Sequence, residues 1–153
     1  MIHSYKPGSV RNYILATFLK NYKRIEPFYF WPNDKFYKKF ESDFKAILDW
    51  DRALVIIASE KGTTPYGGPF TLQSEDRIYG WAIGSLVPNK PIIYSLYVPK
   101  DKQGQGYGRR LIEMLYTHLE QPEEIELRYP TRTTFNAVRS ILRGRARIFV
   151  DIN

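Results

Sequence analysis

The sequence predicts a single α/β domain spanning residues 1–153, with a central mixed, mostly antiparallel sheet flanked by helices. The length of 153 residues is typical of one domain. Hydrophobic residues make up 43% of the chain and aromatic residues 16%, which is enough apolar material to fill a core. Segments of helical periodicity and short β-branched runs follow one another in the order ααβββαβαβ, and this mixture of helices and strands supports the α/β class.

Two amphipathic helices are expected first. In residues 9–24, Ser9 is a suitable helix cap, and apolar side chains recur at helical spacing at Val10, Tyr13, Ile14 and Phe18. In residues 34–48, Asn33 is the expected cap, and one helix face carries Phe36, Tyr37, Phe40, Phe44, Ile47 and Leu48. The segment 2–6 is compatible with a short additional strand.

Three strands are expected next. Residues 52–59 are rich in β-branched side chains. Residues 77–87 and 92–98 form two further apolar runs, joined by a proline-containing turn at 88–91. The Gly-, Pro- and Ser-rich stretch 60–76 between the first two strands is expected to be a long loop.

The C-terminal half is expected to alternate helices with strands. Residues 107–120 form an amphipathic helix that ends before Pro122, and a strand follows at 124–129. A helix at 134–143 and a single final strand at 146–152 complete the predicted fold.

The composition excludes several function classes. The chain has no cysteine, which removes disulfides, thiolate metal sites and a cysteine nucleophile, and which suits a reducing cytoplasm. The two histidines, His3 and His118, lie far apart in the chain, so no metal site is expected. The longest apolar run, residues 53–58, is far below the ~18 residues of a membrane span. The N-terminal residues include no apolar segment typical of a secretory signal.

Three alternating glycines form the most informative motif. Gly104, Gly106 and Gly108 follow a predicted strand and open a predicted helix. Glycine lets the backbone approach a ligand, and a helix N-terminus offers unpaired N–H groups, so this segment predicts an anion site. It is not a P-loop, because Gly108 precedes Arg109 rather than Lys-Ser/Thr. The dinucleotide fingerprint fails as well, because its third glycine falls on Arg109 or Leu111.

The segment Gln103–Gly108 reads Gln-x-x-Gly-x-Gly. It resembles the acetyl-CoA signature of the GCN5-related N-acetyltransferase (GNAT) superfamily, and the order of predicted elements resembles that family's. By this resemblance, the cofactor-binding residues include Gln103, which shapes the loop, and Gly104, and main-chain groups of Leu96 and Val98 bind the pantetheine. The CoA pyrophosphate would be held by the backbone amides of Gln105, Gly106, Tyr107, Gly108 and Arg109. Asn136 lies where the family often has a pantetheine-binding Asn, although a plain helix-surface role is equally compatible.

Two positions depart from the family pattern. Position 143 is Arg143 where many members have a general-acid tyrosine, and Ile92 stands where some members have a glutamate base. Tyr129, at the end of the predicted strand 124–129, is the candidate replacement acid, with core packing as the competing interpretation. The family's final hairpin is also expected to be shortened to one strand.

The resemblance implies transfer of an acetyl group from acetyl-CoA to an amine, by direct attack in a ternary complex. The acceptor class stays open among aminoglycosides, polyamines, protein N-termini, lysines and aminoacyl-tRNA. The alternative is a non-catalytic protein of the same fold, whose basic surface binds nucleic acid or a partner protein.

The net charge of +7 favours an anionic partner. Residues 128–153 contain one acidic residue, Asp151, against six arginines: Arg128, Arg132, Arg139, Arg143, Arg145 and Arg147. Three roles compete for them, namely binding the 3′-phosphate of CoA, binding RNA or another polyanion, and a plain solvated face.

Overall fold

The computed structural model describes residues 10–25, 28–50, 52–60, 62–65, 77–87 and 90–150. The helices are α1 (Val10–Tyr22), α2 (Asn33–Asp49), α3 (Tyr107–His118) and α4 (Arg132–Ile141). The strands are β1 (Leu54–Ser59), β2 (Gly62–Pro65), β3 (Ile78–Val87), β4 (Lys90–Tyr97), β5 (Glu124–Leu127) and β6 (Arg147–Val150). Short 3₁₀ turns lie at Phe28–Phe30 and Lys100–Lys102. The expected cap Ser9 and the segment 2–6 lie outside the described residues.

The strands form one six-stranded sheet in the order β2-β1-β3-β4-β5-β6. Neighbouring strands from β2 to β4 are antiparallel, whereas β5 runs parallel to β4 and β6 runs parallel to β5. The helices α3 and α4 connect the parallel strands, as parallel pairing requires. The predicted α/β class with a mixed sheet flanked by helices is confirmed.

Two local predictions are wrong. The expected loop 60–76 contains β2, which pairs with β1 so that Ile57 lies opposite Thr64. Its Gly62 and Pro65 lower the strand signal, but an edge strand tolerates proline because only one side is hydrogen-bonded. Asn33 is the first residue of α2 and not its cap; Pro32 occupies the cap position, and no side-chain cap bond is made.

The sheet separates two apolar cores. On one face, α1 and α2 cover a core rich in aromatic residues, with Phe18, Phe36, Phe44, Ile57, Trp81 and Ile83 among its buried members. On the other face, α3 and α4 cover an aliphatic core that includes Ile93, Leu111, Ile112, Leu115, Leu127 and Val138. Each such side chain contributes about 1.5–3 kcal/mol by its burial. No helix in the described part of the chain is both long and apolar enough to cross a bilayer.

Close packing against β3 fixes the position of α3. A Cβ atom built on Gly84 would lie 2.7 Å from the carbonyl oxygen of Ile92 and 3.1 Å from Cδ1 of Leu115. A Cβ atom built on Gly80 would lie 2.7 Å from the carbonyl oxygen of Tyr97 and 3.0 Å from Cδ1 of Leu111. A larger residue at either position would clash first with the backbone of β4 and then with a leucine side chain of α3, so the two glycines allow β3, β4 and α3 to pack closely. The N-terminus of α3 is therefore held at the end of β4.

Candidate functional site

The strands β4 and β5 stay together over only part of their length. Ile92 lies opposite Glu126 and Ile93 opposite Leu127. The last bonds between the two segments run from the amide of Arg128 to Ile93 at 3.0 Å and from the amide of Tyr129 to Tyr94 at 3.2 Å. Among the described residues, none beyond Tyr129 forms a backbone hydrogen bond with residues 95–97. The C-terminal part of β4 is therefore open on the β5 side.

A β-bulge lies where this opening begins. In the pairing of β3 with β4, Ile83 lies opposite Ser95 while Gly84 lies opposite Ile93, so Tyr94 is the extra residue. A bulge bends its strand and increases the local twist. The bulge coincides with the point beyond which β4 forms no backbone bond to the β5 side among the described residues. The gap beyond this point ends at the glycine loop 103–108.

Two side-chain bonds shape the glycine loop. The Gln103 side-chain amide donates to the carbonyl oxygen of Val98 at 3.0 Å, and the Gln105 side-chain amide donates to that of Asp101 at 3.1 Å. Gly104 and Gly106 have φ angles of 80° and 90°. Other residues adopt this left-handed region at a cost of about 1–2 kcal/mol, which explains the glycines.

The loop presents a row of unpaired backbone amides. The first hydrogen bond of α3 runs from the amide of Arg110 to the carbonyl oxygen of Gly106 at 3.1 Å. In the described part of the chain, no backbone acceptor is bonded to the amides of residues 105–109. A Cβ built on Gly104 meets nothing within 4 Å, and one built on Gly106 meets only Arg110 Nη2 at 3.8 Å. These amides and the positive end of the helix dipole form an accessible anion site.

Stacked cations flank this anion site. The ammonium of Lys102 lies 4.6 Å from the centre of the Tyr79 ring, and that ring lies 5.0 Å from the ring of Tyr107. The guanidinium of Arg110 lies 5.2 Å from the Tyr107 ring on the first turn of α3. Holding both cations next to the amides increases the positive potential that a phosphate would meet.

Tyr129 lies two residues after the end of β5, at the start of the gap. Its ring packs into the aromatic core with centroid separations between 5.1 and 6.4 Å, against Phe18, Tyr22, Phe40 and Phe44. Burial, together with the negative charge of Asp43, raises the pKa of Tyr129 to about 12. The phenol therefore stays protonated near neutral pH and can donate a proton but not accept one.

Asn136 lies on the second turn of α4, and its side chain is exposed. The helix begins with Thr131, whose hydroxyl oxygen accepts a hydrogen bond from the amide of Thr134 at 2.9 Å. Since α4 follows β5, its N-terminus lies at the same edge of the sheet as the glycine loop. Leu96 and Val98 are half-buried at the open end of β4.

The six C-terminal arginines do not form one cluster. Three of them make ion pairs: Arg128 with Glu126, Arg145 with Glu113, and Arg147 with Glu124. In the part of the chain that the structure describes, Arg132, Arg139 and Arg143 are exposed and have no ion pair.

The C-terminal arginines also lie at different edges of the sheet. Arg132 is the first residue of α4, at the edge that carries the glycine loop. The turn after α4 lies at the opposite edge, since Tyr116 of α3 donates to the carbonyl oxygen of Arg145 and the amide of Arg147 bonds to Glu123, before β5. Arg143, in that turn, is therefore remote from the loop.

One buried carboxylate was missed from the sequence. Glu126 is only 7% exposed and lies between Lys90 and Arg128, each 2.6 Å away. Burial alone would raise the pKa of Glu126, but the bonds from these two cations outweigh it and lower the pKa. The alternation Glu-Ile-Glu-Leu at 124–127 is typical of a strand whose glutamates face solvent, so the sequence pattern does not mark Glu126 as buried. Within the described residues, no group of three or more metal-binding side chains is arranged to hold a metal ion.

A bulged β4, a gap beside it and a row of unpaired amides at the next helix together define an α/β protein with a candidate anion site at a strand–helix junction. The model of the acetyltransferase (GNAT) family matches residues 21–139, which is more than half of the chain. The chain therefore belongs to the GNAT family, a family of acyltransferases. Comparisons with curated proteins and with solved structures gave no match.

Proposed function

We propose that the protein is an N-acetyltransferase that transfers the acetyl group of acetyl-CoA to an amine, by direct attack in a ternary complex. The observation that carries the proposal is the row of unpaired amides at residues 105–109, at the end of the gap between β4 and β5. Family membership supplies the reaction class. Acetyl-CoA would supply the acetyl group as a thioester.

The unpaired amides suit the pyrophosphate of acetyl-CoA. They belong to Gln105, Gly106, Tyr107, Gly108 and Arg109, and the open space at Gly104 leaves room for phosphate oxygens. Gln103 would hold the loop in place through its bond to Val98. The extended pantetheine arm suits the open side of β4, where main-chain groups of Leu96 and Val98 would bind it. Asn136 on α4 would contact the same arm.

Tyr129 is proposed as the acid that protonates the departing CoA thiolate. Its position at the start of the gap supports this role, and its raised pKa, about 12, keeps the phenol protonated before transfer. The raised pKa also makes the phenol a weaker acid than an ordinary tyrosine, so the position of Tyr129 and not its pKa supports the assignment. The attacking amine would lose its proton to ordered water. Glu126, the buried carboxylate near the gap, is already neutralised by Lys90 and Arg128 and suits a structural role better than that of a base.

The alternative function is a non-catalytic GNAT protein that binds a polyanion or a partner protein. The exposed, unpaired side chains of Arg139 and Arg143 favour it. One measurement distinguishes the two functions, because a non-catalytic protein would release no thiol from acetyl-CoA.

The test combines retention of the ligand with turnover. Native mass spectrometry of freshly purified protein is expected to show bound CoA or acetyl-CoA. Thiol release from acetyl-CoA is then measured with an aminoglycoside, a polyamine, a lysine peptide, a free peptide N-terminus and aminoacyl-tRNA. Acceptor-dependent release supports the enzyme; retention without release supports the alternative. If the protein neither retains CoA or acetyl-CoA nor releases thiol from acetyl-CoA, acetyl-CoA is rejected as its ligand.

A further inference from the structure

The turn between α1 and α2 exposes two adjacent aromatic rings. Tyr29 is 63% exposed and Phe30 is 73% exposed, more than any other large hydrophobic residue in the described part of the chain. Their ring centres lie 5.2 Å apart and the ring planes are almost perpendicular, at 88°. Apolar rings held in water lose the stabilisation that burial would give, so adjacent exposed rings indicate a binding surface.

Backbone hydrogen bonds hold residues 28–31 of this turn. The amide of Tyr29 bonds to the carbonyl oxygen of Ile25 at 2.9 Å, and the amide of Trp31 bonds to that of Phe28 at 3.0 Å. The ring of Phe28 points inward, with its centre 4.9 Å from the ring centres of Tyr22 and Phe40. The exposed rings therefore start from an ordered backbone, and binding to them costs little conformational entropy.

Two unpaired lysines lie beside this turn. The ammonium of Lys23 donates to the carbonyl oxygen of Tyr29 at 3.0 Å and lies 5.8 Å from the ring centre of Phe36, which links the end of α1 to α2. The ammonium of Lys35 lies 4.3 Å from the ring centre of Trp31. No carboxylate pairs with these lysines in the described part of the chain, nor with the exposed cations Lys20, Arg24 and Lys38. By contrast, Lys39 and Lys45 pair with Asp43 and Glu41.

We propose that this aromatic–basic surface, formed by Tyr29, Phe30, Lys23 and Lys35 together with the exposed Lys20 and Lys38 on the adjoining helices, binds single-stranded nucleic acid. Unpaired cations match the phosphates, and exposed rings match unstacked bases, which offer a flat face whatever their sequence. A duplex hides its bases from such rings. An acidic peptide would use the cations but would leave the two adjacent rings without partners.

The surface lies next to the gap but is not part of it. The ring centre of Phe28 lies 4.9 Å from that of Tyr22, which in turn lies 5.5 Å from that of Tyr129. A nucleic-acid strand bound at Tyr29 and Phe30 would therefore run along the rim of the candidate site. The proposal stands on the surface alone and does not require acetyl transfer.

The test measures binding of a fluorescent oligouridine of about 15 nucleotides, the upper range of one binding site, by anisotropy. The double variant Tyr29→Ala/Phe30→Ala is expected to bind the oligouridine at least about tenfold more weakly, because the stacking of bases on the two rings is lost. The matched control is Phe149→Ala on β6, because Phe149 is also exposed (43%) and lies 4.9 Å from the Arg147 guanidinium. This control is expected to bind as the wild type does.

A second arm separates stacking from charge. Lys35→Gln/Lys38→Gln is expected to reduce the slope of log affinity against log salt by about 1.4, since each phosphate contact on a single strand contributes about 0.7. The aromatic double variant should leave the slope unchanged. Thermal unfolding of each variant checks that the fold is retained, and the lysine variant alone tests the surface if the aromatic variant does not fold.

Three results would overturn the proposal. The first is no saturable binding of oligouridine by the wild-type protein at about 0.1 M salt, where exposed charges are only partly screened. The second is equal loss of affinity in Phe149→Ala. The third is equal binding of polyglutamate or of duplex RNA with no effect of the aromatic variant, which would indicate an unspecific or acidic partner.

Discussion

The side-chain amide of Gln103 donates a hydrogen bond to the carbonyl oxygen of Val98 at 3.0 Å and ties the glycine loop to the end of β4. Gln103→Ala removes this tie, so the unpaired amides lose their fixed orientation toward a phosphate. We expect the Kd of acetyl-CoA to rise about three- to tenfold, the usual net value of one hydrogen bond. Calorimetry measures it.

The control for this prediction is Gln105→Ala. That substitution keeps the backbone amide of Gln105 and removes only a bond to Asp101 within the same loop. Its effect on affinity should be smaller than that of Gln103→Ala. An unchanged Kd in Gln103→Ala, or a larger loss in Gln105→Ala, would mean that the bond to Val98 does not orient the loop.

The sequence was sufficient where local pattern and tertiary structure agree. Helical periodicity located α1 and α3, and the alternating glycines indicated a loop in which Gly104 and Gly106 have positive φ angles. The Gly- and Pro-containing segment of β2 has weak strand propensity, and it becomes a strand because β1 offers an open edge. That pairing is a tertiary effect.

Within the site, neither the bulge at Tyr94 nor the buried carboxylate of Glu126 could be predicted from the sequence. Tyr94 is an ordinary strand residue by pattern, and its role as the extra residue follows from how β3 and β4 align. Glu126 alternates with apolar residues as a solvent-facing residue would, but α1 and α2 cover that face of the sheet. Only packing of distant segments reveals either feature.

Tyr129→Phe tests the proposed acid. The substitution keeps the ring in the aromatic core, so the free energy of unfolding should change by less than about 1.5 kcal/mol, the upper value for one hydrogen bond. If Tyr129 protonates the thiolate, kcat should fall by about 10²- to 10⁴-fold while KM for acetyl-CoA stays unchanged. Steady-state kinetics and denaturation measure these values. An unchanged kcat would leave Tyr129 as a core residue.

Arg132 and Arg143 distinguish the two edges of the sheet. Arg132 opens α4 at the edge of the glycine loop, whereas Arg143 lies in the turn at the opposite edge. From this position we assign Arg132 to the 3′-phosphate of CoA, so Arg132→Gln should weaken the binding of acetyl-CoA about tenfold and spare dephospho-CoA, because one charged hydrogen bond to that phosphate is lost. Arg143→Gln should affect neither ligand. Calorimetry with both ligands measures this, and a selective loss in Arg143→Gln would contradict the assignment.

Glu126 gives a prediction for stability against pH. Because Lys90 and Arg128 lower its pKa in the folded protein, its stabilisation is present above the ordinary value of 4.5 and is lost as the pH falls through the folded value. The free energy of unfolding of the wild type should therefore fall from about pH 5 to pH 3, and more steeply than that of Glu126→Gln. Denaturant titrations at several pH values measure both curves.

At neutral pH, Glu126→Gln leaves two cations without their anion. The loss is expected at about 1–3 kcal/mol, less than for a wholly buried pair, because the side chain of Lys90 is 63% exposed. Parallel stability curves for the two proteins between about pH 5 and pH 3 would mean that Glu126 has no lowered pKa.

The substitution Gly106→Glu, with Gly144→Glu as its control, shows whether the loop 103–108 holds the phosphates of acetyl-CoA. Gly106 and Gly144 have φ angles of 90° and 79°, and a Cβ atom meets nothing closer than 3.8 Å at the first and nothing within 4 Å at the second. Both variants therefore add the same charge and similar strain, about 1–2 kcal/mol.

Calorimetric titration with acetyl-CoA should show binding to the wild type and to Gly144→Glu with Kd values within about twofold of each other. Gly106→Glu should bind at least about a hundredfold more weakly, because its carboxylate would occupy the space beside the amides and repel the phosphates. Equal affinity in the two variants, or no binding to the wild-type protein, would mean that the loop 103–108 does not hold the phosphates of acetyl-CoA.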